Sequence, residues 1–115
     1  MGVTTQFRPP VARRYKRYIV TGSATFRRSG KECRGALLNV GQGGVLVRPD
    51  SLYREGPDLS LLFQVVGYPE TVAAPGRIVG TKTDLLAIKF RQQPAGIDTL
   101  LRWLEQENCT WSGVA

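Results

Sequence analysis

The sequence predicts a mainly β protein, a six-stranded antiparallel β-barrel with one C-terminal α-helix. Three observations lead to that class. Short apolar runs alternate with a period of two residues. Turn residues interrupt them roughly every 8–12 residues. After Pro94 the apolar spacing lengthens to that of a helix. At 115 residues the chain has room for one modest core. A hydrophobic fraction of 42% with 22% charged residues is a globular rather than a disordered composition.

The elements follow in order. Residues 1–17 carry Pro9-Pro10 and almost no apolar period, which predicts a flexible basic arm that stiffens at the prolines. Residues 18–108 form the barrel and its helix, and 109–115 a tail. From Tyr18 to Phe26, Val20, Ala24 and Phe26 fall on one face and Ile19, Thr21, Ser23 and Thr25 on the other, a strand signature. Ser29-Gly30 marks a turn, and Cys33 to Leu38 reads as the returning strand of a hairpin. Gly41, Gly43 and Gly44 form a turn leading into Val45-Leu46-Val47. Leu59, Leu61, Phe63 and Val65 alternate clearly over 58–66. Residues 71–79 make a weaker strand, because Pro75-Gly76 in its middle argues for an edge position or a bulge. Leu86, Ile88 and Phe90 alternate once more. Ile97, Leu100, Leu101 and Leu104 then fall on one face of a helix running to about Glu107, a stripe that predicts packing against the barrel. Trp103 and Trp111 suit either that packing or a patch for a partner.

Charge narrows the function. The net charge is +7, and its distribution is lopsided. Through Arg34 the chain carries nine cations and one acid, Glu32; the remainder has seven cations and eight acids. Such asymmetry points to a local anion site rather than a generally basic surface. No apolar run approaches the ~18 residues of a membrane span, and the N-terminus lacks the layout of a signal peptide. Both absences predict a soluble cytoplasmic protein. Cys33 and Cys109 have no zinc spacing and read as free, mostly buried thiols. There is no histidine, so the usual general base and the commonest metal ligand are both missing. With no Walker-type loop and no paired carboxylates at helical spacing, the composition predicts a binding module, with no enzyme activity, metal or cofactor.

Two stretches carry the binding chemistry. Arg13-Arg14-Tyr15-Lys16-Arg17 places four cations in five residues just before the first strand. Arginine forks bind phosphate and the O6/N7 edge of guanine bidentately and stack on flat rings. Asn39-Val40-Gly41-Gln42-Gly43-Gly44 is the second stretch, where glycine lets backbone approach a ligand closely. A small anion carrying purines would use both. Each has a plainer reading: a solvated cationic linker for the first, and for the second a tight turn that needs glycine only for positive φ.

Taken together, Arg13-x-x-x-Arg17 followed by Asn39-x-Gly41-x-x-Gly44 resembles the signature of the PilZ domain, Arg-x-x-x-Arg then Asp/Asn-x-Ser-x-x-Gly. The Gly43–Val47 strand, the Ala87–Phe90 strand and the closing helix also fall in family order. PilZ domains are six-stranded barrels that bind the bacterial second messenger cyclic di-GMP. The resemblance implies that Arg13 and Arg17 grip its phosphates and guanine edges, that Asn39 hydrogen-bonds a guanine edge, and that Gly44 lets the backbone pass close by. Arg14, Arg8 on the arm, and Arg48 after the glycine turn are candidate secondary contacts. Gly41 departs from the pattern, replacing the family serine. Loss of one hydroxyl contact is worth about 0.5–1.5 kcal/mol, so weaker binding is expected.

The implied mechanism is ordering of the arm over cyclic di-GMP, creating a surface for a downstream protein or for a second copy of the chain. Two alternatives compete. One is a nucleic-acid-binding barrel, disfavoured because Tyr15 and Tyr18 are the only aromatics near the basic knot. The other is a PilZ-like docking adaptor that no longer binds nucleotide, which Gly41 favours and the two arginines oppose.

Overall fold

The structure is a computed structural model that describes residues 16–54, 56–82 and 84–107, together with the backbone of 110–111. Its elements are β1 (Arg17–Arg28), β2 (Lys31–Gly41), β3 (Gly44–Pro49), β4 (Asp58–Val65), β5 (Val72–Lys82), β6 (Leu85–Phe90), α1 (Ile97–Gln106) and the two-residue β7 (Thr110–Trp111). The six long strands pair antiparallel in the cyclic order β1-β2-β3-β6-β5-β4, and the β4–β1 pairing closes the ring. Closure leaves none of the six with a free edge. The predicted barrel with its C-terminal helix is the observed architecture. Thr110–Trp111, within the stretch expected to be a tail, pairs with Tyr18 and Arg17 at the start of β1.

The alternation read from the sequence sets which face is inside. Tyr18, Ala24 and Phe26 of β1 are buried, whereas Ile19, Thr21 and Ser23 are exposed. The same alternation buries Leu59, Leu61, Phe63 and Val65 of β4 and Leu86, Ile88 and Phe90 of β6. The helix lays Ile97, Leu100 and Leu104 into this core, with Leu101 and Trp103 half-buried beside them. Leu100 and Leu104 are fully buried, each worth roughly 1.5–3 kcal/mol of transfer free energy. Trp103 packs on Tyr68, with ring centroids 5.1 Å apart and planes tilted by 52°, so barrel packing accounts for it. The Trp111 side chain and Cys109 lie outside the described residues.

Two expectations are corrected. Strand β5 is no edge, for it runs between β4 and β6, and its register shift falls between Ile78 and Gly80 rather than at Pro75. The reason is the direction in which Pro75 faces. Its carbonyl accepts from the Arg91 backbone N–H at 2.8 Å, on the side of the strand where its own N–H would have pointed. That side lies just past the last β5–β6 pair, Gly76 with Phe90, so the ladder needs no donor there. Cys33 is a free thiol as expected, but only half-buried on β2 opposite Phe26.

Three register shifts bend the wall: between Ile19 and Gly22 on β1, Leu37 and Asn39 on β2, and Ile78 and Gly80 on β5. An extra residue at such points sharpens local twist and helps a small sheet to close.

Candidate functional site

The site is assembled by the β1–β2 register. Arg17 opposes Gly41, Tyr18 opposes Val40 and Ile19 opposes Asn39. Tyr18 and Val40 point into the core, at 4% and 0% exposure, so Arg17, Ile19, Asn39 and Gly41 share the outer wall. There Arg17 Nη1 donates to Asn39 Oδ1 at 3.1 Å, joining the two motif halves across 22 residues of sequence. The contact fixes the orientation of the asparagine amide. Arginine has only donors, so the oxygen must face it and the amide N–H groups face away. Asn39 therefore offers donors to whatever lies on the wall.

The glycine turn contradicts the simpler reading of its glycines. Positive φ occurs at Gly30, Gly56, Gly67 and Gly96, and Gly41, Gly43 and Gly44 are not among them. Crowding explains two of the three. A Cβ on Gly44 would sit 2.1 Å from the Ile88 carbonyl oxygen, since β3 and β6 approach closely where Gly44 opposes Lys89. A Cβ on Gly41 would lie 3.0 Å from the Lys16 carbonyl oxygen and 3.6 Å from Arg17 Cγ. Gly43 has open space around it. The turn is pinned from below, with the Gly43 carbonyl accepting from Phe90 N at 2.9 Å and the Gln42 carbonyl from Gln93 Nε2 at 2.9 Å.

Beside this wall the chain enters the barrel at Lys16, whose Nζ meets Glu105 Oε2 of α1 at 2.6 Å. That hydrogen bond, with the attraction of the same carboxylate, raises the Lys16 pKa. Glu105 and Glu107 lie at the helix C-terminus, where acids oppose the macrodipole and no basic residue occupies the last turn, so Lys16, just ahead of β1, supplies the missing cation. Between these elements lies a cleft of about 390 Å³ lined by Lys16, Tyr18, Gln42, Asp98, Arg102 and Glu105, among others. Burial, and then Glu105, push the Tyr18 hydroxyl pKa up.

Of the residues proposed from the sequence, the structure brings Arg17, Asn39 and Gly41 together, with Gly44 across the turn. Arg48 is not part of that group. It stands four residues along β3 from Gly44, roughly 13 Å, and its Nε meets Asp84 Oδ2 at 3.3 Å. Arg8, Arg13 and Arg14 lie outside the described residues. Lys16, Gln42 and Ile19 were missed as site neighbours. Lys16 had a signal in the basic knot, but its partner on α1 is 89 residues away. Tyr18, one of two aromatics available to a nucleic-acid surface, is buried. Among the described residues no group of three or more His, Cys, Asp or Glu side chains is placed to hold a metal ion. No helix of the described residues is long and apolar enough to cross a membrane.

The barrel is closed, with a cation and an amide paired on its outer wall. The PilZ domain model matches residues 12–106, most of the chain, and the protein belongs to the PilZ family. That family is one of non-catalytic receptors that generally bind cyclic di-GMP. No curated protein matches the chain.

Proposed function

We propose that this protein is a cytoplasmic receptor for cyclic di-GMP, held on the outer wall between β1 and β2 and covered by the arm. The observation that carries the reading is the Arg17–Asn39 contact, which brings the two halves of the binding signature into one cluster. One N–H of Arg17 is used on Asn39. Its remaining donors suit a phosphate or the O6/N7 edge of a guanine. With one lone pair of its oxygen engaged by Arg17, the Asn39 amide turns its N–H donors to the wall, where they match the guanine acceptors O6 and N7. Arg13 and Arg14 add charge from the arm, and Arg8 folds over the ligand. Gly41 and Gly44 keep the floor low beneath it. Arg48, held by Asp84, contributes long-range potential only. Occupancy orders the arm ahead of Lys16 and presents a new surface to a downstream protein or a second copy of the chain.

Calorimetry with cyclic di-GMP tests this. Wild type should bind, Arg17→Ala should weaken binding at least about tenfold, and Arg13→Ala/Arg17→Ala should show no heat. Equal heats for wild type and the double variant sink the arginine clamp. No heat from wild type supports the adaptor reading instead.

A further inference from the structure

Along the outward positions of β1, Thr21, Ser23 and Thr25 carry hydroxyls, as a solvated strand face should. Ile19 does not fit, standing beside Arg17 with 59% of its surface exposed. The register continues the row across the barrel. Ile19 opposes Asn39, Asn39 opposes Leu46, and Leu46 opposes Ala87. Leu46 and Ala87 are both half-buried between inward-facing neighbours. The result is an apolar shelf with one amide in it, spanning two strand spacings, roughly 10 Å, from Ile19 to Leu46. Arg17 flanks it on the side of the glycine turn.

The backbone marks the same row. The β1 register shift begins at Ile19, and the β2 shift ends at Asn39. Bulges re-aim side chains and concentrate next to binding sites. Here they adjoin the one exposed aliphatic on β1 and the one amide in the row.

We infer that Ile19 and Leu46 form the floor on which one guanine base of the ligand lies flat, with Asn39 donating to the edge of that base and Arg17 closing its flank. The inference rests on the cyclic di-GMP reading above and adds its specificity element. The shelf is apolar while its rim carries a guanidinium and amide donors. That combination fits an aromatic ring with an acceptor edge tied to an anion. It does not fit an aliphatic chain, which leaves the donors unmatched, nor a free phosphate, which leaves the shelf exposed.

The test is calorimetry of the full chain with cyclic di-GMP, comparing wild type with Ile19→Ser, Ile19→Phe and Val79→Ser. Ile19 and Val79 are both exposed aliphatics, and Val79 lies on β5 away from Arg17. Ile19→Ser should weaken binding about tenfold, the loss expected from uncovering one aliphatic contact. Ile19→Phe should hold affinity within about twofold, because a flat ring restores the floor. Val79→Ser should bind as wild type. If wild type binds and Arg17→Ala weakens it while Ile19→Ser changes nothing, the shelf is wrong and the receptor reading stands. If wild type gives no heat, the receptor reading itself fails, and the shelf with it. A wild type that dimerises without ligand in sedimentation, and that Ile19→Ser makes monomeric, assigns the shelf to a second copy and overturns the base floor.

Discussion

At Gly41 a single missing side chain separates this protein from its family pattern, and the structure gives that absence a cost in both directions. A serine Cβ would press on the Lys16 carbonyl at 3.0 Å, so that carbonyl must yield by a few tenths of an ångström. Lys16 precedes β1, outside any ladder, so it can move. Gly41→Ser should therefore fold and bind cyclic di-GMP about three- to tenfold tighter, through one restored hydroxyl contact. Calorimetry showing equal or weaker binding would mean that the hydroxyl does not reach the ligand. Gly44 is different, because a Cβ there meets the Ile88 carbonyl of a packed strand, which cannot yield cheaply. Arg17 and Asn39 were legible from their spacing alone. What the glycines are for was not, since neither crowding atom is near in sequence.

The β1–β2 hairpin is the element that builds the site, and its far end is held by charge. At the turn, Ser29 and Gly30 both take positive φ, at 52° and 80°. Arg27 Nη2 meets Glu32 Oε1 at 2.6 Å, and Arg34 Nε lies 3.5 Å from the other carboxylate oxygen. The Arg27 hydrogen bond is the main cause of the lowered Glu32 pKa, outweighing some burial that acts the other way. A carboxylate with a lowered folded-state pKa adds stability that is fully present above its ordinary value of 4.5. That stability is lost as pH falls through the lowered value. Thermal melts between about pH 6 and pH 3 should therefore show a steeper acid-side loss for wild type than for Glu32→Gln. Parallel curves would mean that the pair contributes nothing, which is common for exposed ion pairs. The hairpin itself was legible from alternation and from Ser29-Gly30. The interior place of β5 was not, because Pro75 signals an edge unless one knows which way its carbonyl faces.

Over the whole molecule, the excess positive charge carried through Arg34 divides between the two ends of the β1–β2 hairpin, with Arg27, Arg28, Lys31 and Arg34 near its turn and the basic knot at the corner where the chain enters the barrel. There the chain enters at Lys16, the last turn of α1 presents Glu105, and the Gln42 carbonyl of the glycine turn accepts from Gln93. An arm that closes over a ligand at this corner must rearrange around the Lys16–Glu105 pair, an exposed contact that salt weakens. Hydrogen exchange in the arm ahead of Lys16 should slow on adding cyclic di-GMP, with little change in β5, which pairs with neither β1 nor β2. Unchanged exchange in the arm, alongside measurable binding, would remove the arm-closure mechanism and leave the wall site intact.

Period and turn chemistry are written in consecutive residues, and they were enough for the six strands, the helix and the two motif halves. Strand pairing was needed to see that Asn39 and Leu46 extend the row begun by Ile19 beside Arg17, and that Arg48 meets Asp84 instead. Register and closure join residues far apart in the chain, and a bulge of one residue shifts every pairing beyond it. No local pattern records such a shift, so the shelf beside the arginine became visible only once the strands were paired.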